Sequence, residues 1–182
     1  MSPSQEQFVY EQLNDIPTLR GIITAAVNIF DNDVEQLMQR VFRKTDFAVK
    51  SVVDSLLGSQ GPLADLSVRL KVLLGLGVLE TEAYQDIERY LTLKARLNNE
   101  SKEYAFSSPL TLDFLQQLAS VQDKTMLQKL EQELQSTALS VHDNKDSLLL
   151  QVKTLRSEKI LRSYLLLSIN TICEQLQIES PL

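Results

Sequence analysis

Apolar residues recur at three- and four-residue spacing along nearly all of this chain, and strict two-residue alternation is missing. After a polar start, with residues 1–4 expected to be disordered, Gln5–Leu13 reads as a brief helix. Pro17 suits a first helical position. From there Leu19, Ile22, Ile23, Ala26, Phe30, Val34, Leu37 and Val41 fall on one side of a helical wheel. The stripe runs through Asp31-Asn32-Asp33, so the spacing predicts one helix over Pro17–Arg43, roughly 40 Å long. A helix over Asp46–Leu57 follows and stops at Gly58-Ser59-Gln60-Gly61.

Pro62 is read as opening the next helix. Leu63, Leu66, Leu70, Leu73, Leu74 and Gly77 make one stripe, with Val68 and Val72 on a second side. Two apolar sides imply a helix sandwiched centrally between neighbours. Asp65 and Arg69, spaced i,i+4, are placed to pair. Gly75 and Gly77 mark the end of this helix, and Thr81 is the expected N-cap of the next, Glu82–Leu97. Asn98–Lys102 is a loop. Ser108-Pro109 starts a helix reaching Val121. Met126, Leu127, Leu130, Leu134 and Ala138 give a further amphipathic helix, broken at His142-Asp143-Asn144-Lys145. The last helix, Asp146–Gln177, is the longest. Its residues Leu165, Leu166, Leu167, Ile169, Ile172 and Cys173 point in nearly every direction, as in a helix buried in a bundle or a dimer interface. The expected fold is all-α: a single-domain multi-helix bundle over residues 1–182 with a long, largely buried C-terminal helix.

Composition narrows the function classes. The 182 residues suffice for one domain, and five Gly, five Pro and no Trp suit helices better than a turn-rich sheet. The net charge of −6 opposes unaided binding of a polyanion. One cysteine excludes an intrachain disulfide, and the acidic start and lack of a long apolar run point to a cytoplasmic protein.

Chemistry is sparse. His142 and Cys173, one of each, give no metal-ligand spacing, and P-loop, GxGxxG and GxSxG motifs are absent. Cys173 reads as a small core residue and His142 as a solvated loop residue. Asp31/Asp33 and Glu80/Glu82, two apart on helices, do not converge on one point. No catalytic, metal or cofactor-binding residue is assigned, and an enzyme is not expected. Leu70–Leu91 has the outline of a helix-turn-helix. Its would-be recognition helix, however, leads with Glu80, Glu82, Gln85, Asp86 and Glu88, which would face phosphates with like charge. Two basic clusters remain. Lys153, Arg156, Lys159 and Arg162 wind around the last helix and read as solvated. Arg40, Arg43, Lys44 and Lys50, against Asp46, carry a compact positive charge suited to an acidic partner or a few phosphates.

Several blocks carry a family likeness: Val41-Phe42-Arg43-Lys44, Ala48-Val49-Lys50, Gly61-Pro62-Leu63, Asp65–Lys71, Gly75-Leu76-Gly77-Val78, Leu97-Asn98 and Glu103-Tyr104-Ala105-Phe106. Their order and spacing resemble the mannitol operon repressor (MtlR) family. The resemblance covers Val41–Phe106, about a third of the chain. It implies an all-helical negative regulator of mannitol utilisation without a recognisable DNA-binding motif and without catalytic residues. The implied partners are another transcription factor or a phosphotransferase-system protein such as HPr, with DNA reached indirectly. Within these blocks Asp65, Arg69 and Asn98 are expected to form a structural polar network. Arg40, Arg43, Lys44, Lys50 and Lys71 are the candidate partner or phosphate contacts. Two other readings stay open: direct DNA binding through Arg40–Lys50, and a helical sensor of a small molecule. A homodimer through the last helix is compatible with the pattern, and no membrane role is expected.

Overall fold

The computed structural model describes residues 10–42, 55–58, 60–139 and 147–177, and among these it contains helices and no strand. One helical turn at 10–14 precedes six longer helices: α1 (Leu19–Phe42), α2 (Leu66–Gly75), α3 (Thr81–Asn99), α4 (Pro109–Gln117), α5 (Lys124–Leu139) and α6 (Ser147–Leu176). The all-α expectation holds. No described helix is long and apolar enough to cross a membrane.

α1 is one continuous helix, as its stripe requires, and Leu19, Ile22, Ile23, Ala26, Phe30, Val34, Leu37 and Val41 are all buried. It packs on α2, α3 and α6, while α3 also meets α2 and α6. The centre of the bundle is therefore the α1–α3 pair, not α2. The two-sided reading of α2 fails because only Arg69, Leu70 and Leu73 are buried there, and Val68 is 38% exposed. Nor does Pro62 open α2. Gly61 and Ala64 donate to Gly58 and Gly61 carbonyls at 2.7 and 3.1 Å, holding Pro62 in a turn, and the helix starts after Asp65. Its end is as expected. Gly77 takes φ +70°, and Gly77 and Val78 N–H groups donate to Leu74 and Leu73 carbonyls at 3.0 Å each. That left-handed residue lets the chain reverse into α3 without a Cβ clash. Of the helix expected over Asp46–Leu57, residues 55–57 are helical and the rest lies outside the described residues.

α3 carries the core. Tyr90, fully buried, sits edge-to-face with Phe30 of α1 (centroids 5.2 Å) and with Phe114 of α4 (4.9 Å). Its hydroxyl meets Ser168 Oγ of α6 at 2.8 Å, and Ser120 Oγ donates to the same Ser168 at 3.2 Å. One turn earlier, Asp86 is 1% exposed. It accepts from Ala119 and Ser120 N–H at 2.9 and 2.8 Å and from Arg89 at 3.0 Å. This carboxylate draws the chain out of α4 at Gln117, short of the predicted Val121. Separately, Thr81 is the first residue of α3 rather than its cap; Glu80 holds the cap position without a side-chain bond.

The last helix divides in two. From Leu161 to Leu176 its inward residues are buried, but Leu148, Leu149, Val152 and Leu155 are exposed. The expectation of a largely buried helix holds for the second half only, and even there Leu167, expected inside with its neighbours, is 65% exposed.

Three arginines close helix ends. Arg20 spreads over the C-terminus of α3, donating to carbonyls of Leu97, Glu100 (3.0 Å) and Lys102 (3.0 Å), and pairs with Glu103 at 2.7 Å. Arg40 donates to Leu176 O, the last residue of α6, at 2.7 Å. Arg162 donates to Leu13 and Asn14 carbonyls at the end of the first helical turn. Each places a cation where unsatisfied carbonyls and the helix dipole favour one.

Two substitutions test the α3 hub. Asp86→Ala removes the acceptor of two backbone amides and the carboxylate partner of Arg89, and is expected to cost about 3 kcal/mol in urea unfolding. Tyr90→Phe keeps both ring contacts and loses one hydroxyl bond, costing about 1 kcal/mol. Equal costs would show that the ring packing, not the polar chain, positions α4 and α6.

Candidate interaction surface

The family-like blocks resolve into three local arrangements. At the start of α2, Asp65 Oδ1 accepts from Ser67 N–H at 2.7 Å and Val68 N–H at 3.4 Å, a side-chain cap. Arg69 therefore does not pair with the Asp65 side chain, contrary to the i,i+4 expectation. It reaches instead across to α1, where it pairs with Asp31 and lies 3.9 Å from Glu35. Its remaining donors find Asp31 O and Ala64 O at 3.4 Å each, and Nε is buried without a partner. The cap had the stronger claim on Asp65, because two amide donors sit within reach of a carboxylate that a flexible arginine would have to cross a turn to find. Asn98 is exposed in the last turn of α3 and bonds to neither residue. The expected three-residue network is thus two separate devices and a surface amide.

The basic cluster is only partly in view. Arg43, Lys44 and Lys50 lie outside the described residues. Arg40 is half-buried and occupied at the end of α6, and Lys71 is exposed on α2. Arg40 is thus partly a structural residue, which composition alone does not reveal.

The leading end of α3 keeps its acidic face. Glu80, Glu82 and Gln85 are exposed, whereas Asp86 is buried and Glu88 half-buried. An open groove of about 350 Å³ between α3 and α4 is lined by Glu88, Arg89, Thr92, Arg96, Asp113 and Phe114, among others. Its arginines are engaged, Arg89 with Asp86 and Arg96 with Glu100, each at 3.0 Å.

Cys173 is buried, as its helical neighbours imply. Burial pushes its thiol far above the usual range, and the adjacent Asp33 carboxylate adds to this. Asp33 is itself raised by burial, an effect opposed by the Cys173 hydrogen bond and the Arg40 charge. A thiol so placed is a poor nucleophile. His142 lies outside the described residues, and no group of three His, Cys, Asp or Glu is arranged to hold a metal ion among the described residues.

The profile of the mannitol repressor family, MtlR, matches residues 5–177. The chain belongs to the MtlR family. A mannitol operon repressor of Escherichia coli K12 is 45% identical over 102 residues, 56% of this chain and 52% of that protein. The chain thus aligns with about half the length of this curated relative. An E. coli structure described as the MtlR–HPr complex superposes with a TM-score of 0.80 at 32% identity, covering 96% of this chain and 99% of that one. Fumarase E of E. coli K12 is 28% identical over 128 residues, 70% of this chain and 76% of that protein. What sequence reasoning missed was the buried role of Asp86, which it read only as part of the acidic leading end of a would-be recognition helix. Its signal was faint: an acid three residues after buried Ala83 and next to Ile87 on the inner face.

The Arg69 site yields an asymmetric expectation. Arg69 is 6% exposed in its side chain, whereas Asp31 and Glu35 are about half exposed. Arg69→Met should cost only about 1 kcal/mol, since the freed carboxylates regain water. Asp31→Ala should cost about 3 kcal/mol, because the buried cation loses its main partner. Urea unfolding of both variants decides; the reverse order would place the guanidinium in water in solution. For Cys173, labelling by a thiol reagent at neutral pH should proceed only as fast as the protein unfolds, and rapid native-state labelling would contradict its burial.

Proposed function

We propose that this chain is a cytoplasmic repressor of a mannitol-utilisation operon, acting through contacts with partner proteins, an HPr-type phosphocarrier foremost. The observation that carries this reading is the match over nearly the full chain to an MtlR captured with HPr. Electrostatics supports the same mechanism. The net charge is −6, and the Leu70–Leu91 hairpin, with the outline of a DNA reader, leads with exposed Glu80 and Glu82. Such an end repels phosphates where a recognition helix must attract them. The partner surface is assigned to the basic segment Arg40, Arg43, Lys44 and Lys50 together with Lys71, and Asp65, Arg69 and Asn98 are left to the scaffold and its surface.

The purified protein should bind HPr in calorimetric titration and leave operator DNA unshifted at physiological salt, with cell extract restoring a shift that depends on it. Lys71→Glu combined with Lys44→Glu should weaken HPr binding about tenfold with an unchanged circular dichroism spectrum. A tight, salt-sensitive operator shift by the protein alone would replace this reading with direct DNA binding.

The likeness to fumarase E supports a second reading, hydration of fumarate. That reaction needs cations for two carboxylates and a positioned acid–base group. Arg89 and Arg96 border the α3–α4 groove but are held by Asp86 and Glu100. No loss of fumarate absorbance above background is expected with the purified protein; turnover abolished by Arg89→Ala and Arg96→Ala would establish the enzyme.

A further inference from the structure

The first half of α6 has an inward face of mixed character and an outward face that is apolar. Leu150, Thr154, Ser157 and Leu161, at i, i+4, i+7 and i+11, turn toward the bundle and pass from half-buried to buried. On the opposite side Leu148, Val152 and Leu155 form a second line at i, i+4 and i+7, widened by Leu149. These are 79%, 61%, 58% and 51% exposed respectively. Scattered exposed aliphatic residues need no explanation, but three leucines and a valine on one face over about 10 Å of helix form a patch.

Charge around the patch is one-sided. Lys153 and Arg156 flank it beside Leu149, and Lys159 ends the line; all three are exposed. Among the described residues no carboxylate pairs with any of them. Glu158 borders Leu155 on the opposite flank, where it is half-buried and engaged by Ser107 at 3.1 Å.

We infer that the Leu148–Leu155 face of α6 docks an amphipathic helix of a partner protein whose aliphatic anchors are flanked by carboxylates. A helix laid along α6 would seat its apolar stripe on Leu148, Val152 and Leu155 and bring its acidic flank to Lys153 and Arg156. The charge pattern decides against a second copy of this chain. Two-fold antiparallel pairing of α6 would set Lys153 and Arg156 against their own equivalents. It decides against a membrane as well, since two helical turns bury little lipid-facing area and the chain carries a net charge of −6. This surface goes beyond the HPr reading and stands on α6 alone.

Fluorescence anisotropy of the full-length protein with two synthetic stapled helical peptides tests it. Both carry leucines at i, i+4 and i+7; one has a Glu flank, the other a Lys flank. The Glu-flanked peptide should bind at least about tenfold more tightly than the Lys-flanked one, and high salt should narrow the gap. Val152→Asp should abolish binding without changing the circular dichroism spectrum. The pair Lys153→Glu and Arg156→Glu should reverse the preference between peptides, an outcome that misfolding cannot mimic. Equal binding of the two peptides, or none by either, overturns the proposal. So does a solution dimer that Val152→Asp dissociates, or anionic phosphatidylglycerol vesicles captured only by the unsubstituted protein. HPr titration of the same variants is read separately, so loss of either result leaves the other interpretable.

Discussion

The contacts that the described fold depends on radiate from one face of α3. Asp86 and Tyr90, four residues apart, bring α1, α4 and α6 to a common centre. Neither residue could be exchanged for an apolar one of similar size without loss. Asp86, itself buried, supplies both acceptors for a backbone that leaves α4 with no helical partner for its next amides. Tyr90 supplies ring edges and faces in two directions and a hydroxyl in a third. Burial pushes its phenol well above the usual range, so it stays protonated as the Ser168–Ser120 chain requires.

Much of this was legible in the sequence, and the parts that were not share a cause. The α1 stripe through Asp31-Asn32-Asp33 specified a long helix because eight apolar positions keep their helical spacing across those three polar residues. Gly77 announced its left-handed turn. By contrast, Pro62, Val121 and Thr81 were misplaced because helix ends here are set by who captures the free amides and carbonyls. Asp65 captures two at the start of α2, and Asp86 captures two beyond α4, from 33 and 34 residues away. A wheel sees faces; it does not see a distant carboxylate. The same limit hid the buried role of Asp86 and the reach of Arg69 to α1.

The candidate partner site was legible only as composition. Clustering of Arg40, Arg43, Lys44 and Lys50 is visible in the letters, yet the engagement of Arg40 by the end of α6 depends on a helix 136 residues away. The exposed line on α6 was equally visible as leucines at helical spacing. It went unremarked under the expectation of a largely buried last helix, because which face is covered depends on neighbours that the helix's own sequence does not show. Family membership supplied what the chemistry of single residues did not. A fold whose described interior is packed with aliphatic and aromatic side chains, and whose buried Arg69 and Asp86 are paired, offers its surface as the place for function.

Arg20, Arg40 and Arg162 each join a helix end to an element far away in the chain. Helix termini are ordinarily where a bundle frays, each end opening by itself at little cost. Here the last turn of α3 cannot loosen without releasing the first turn of α1. The end of α6 is held by the far end of α1 in the same way, and the opening helical turn by the middle of α6. Local opening at any one of these places is thereby coupled to separation of two helices. The described bundle accordingly has little to shed piecemeal, and it is built to melt as a unit.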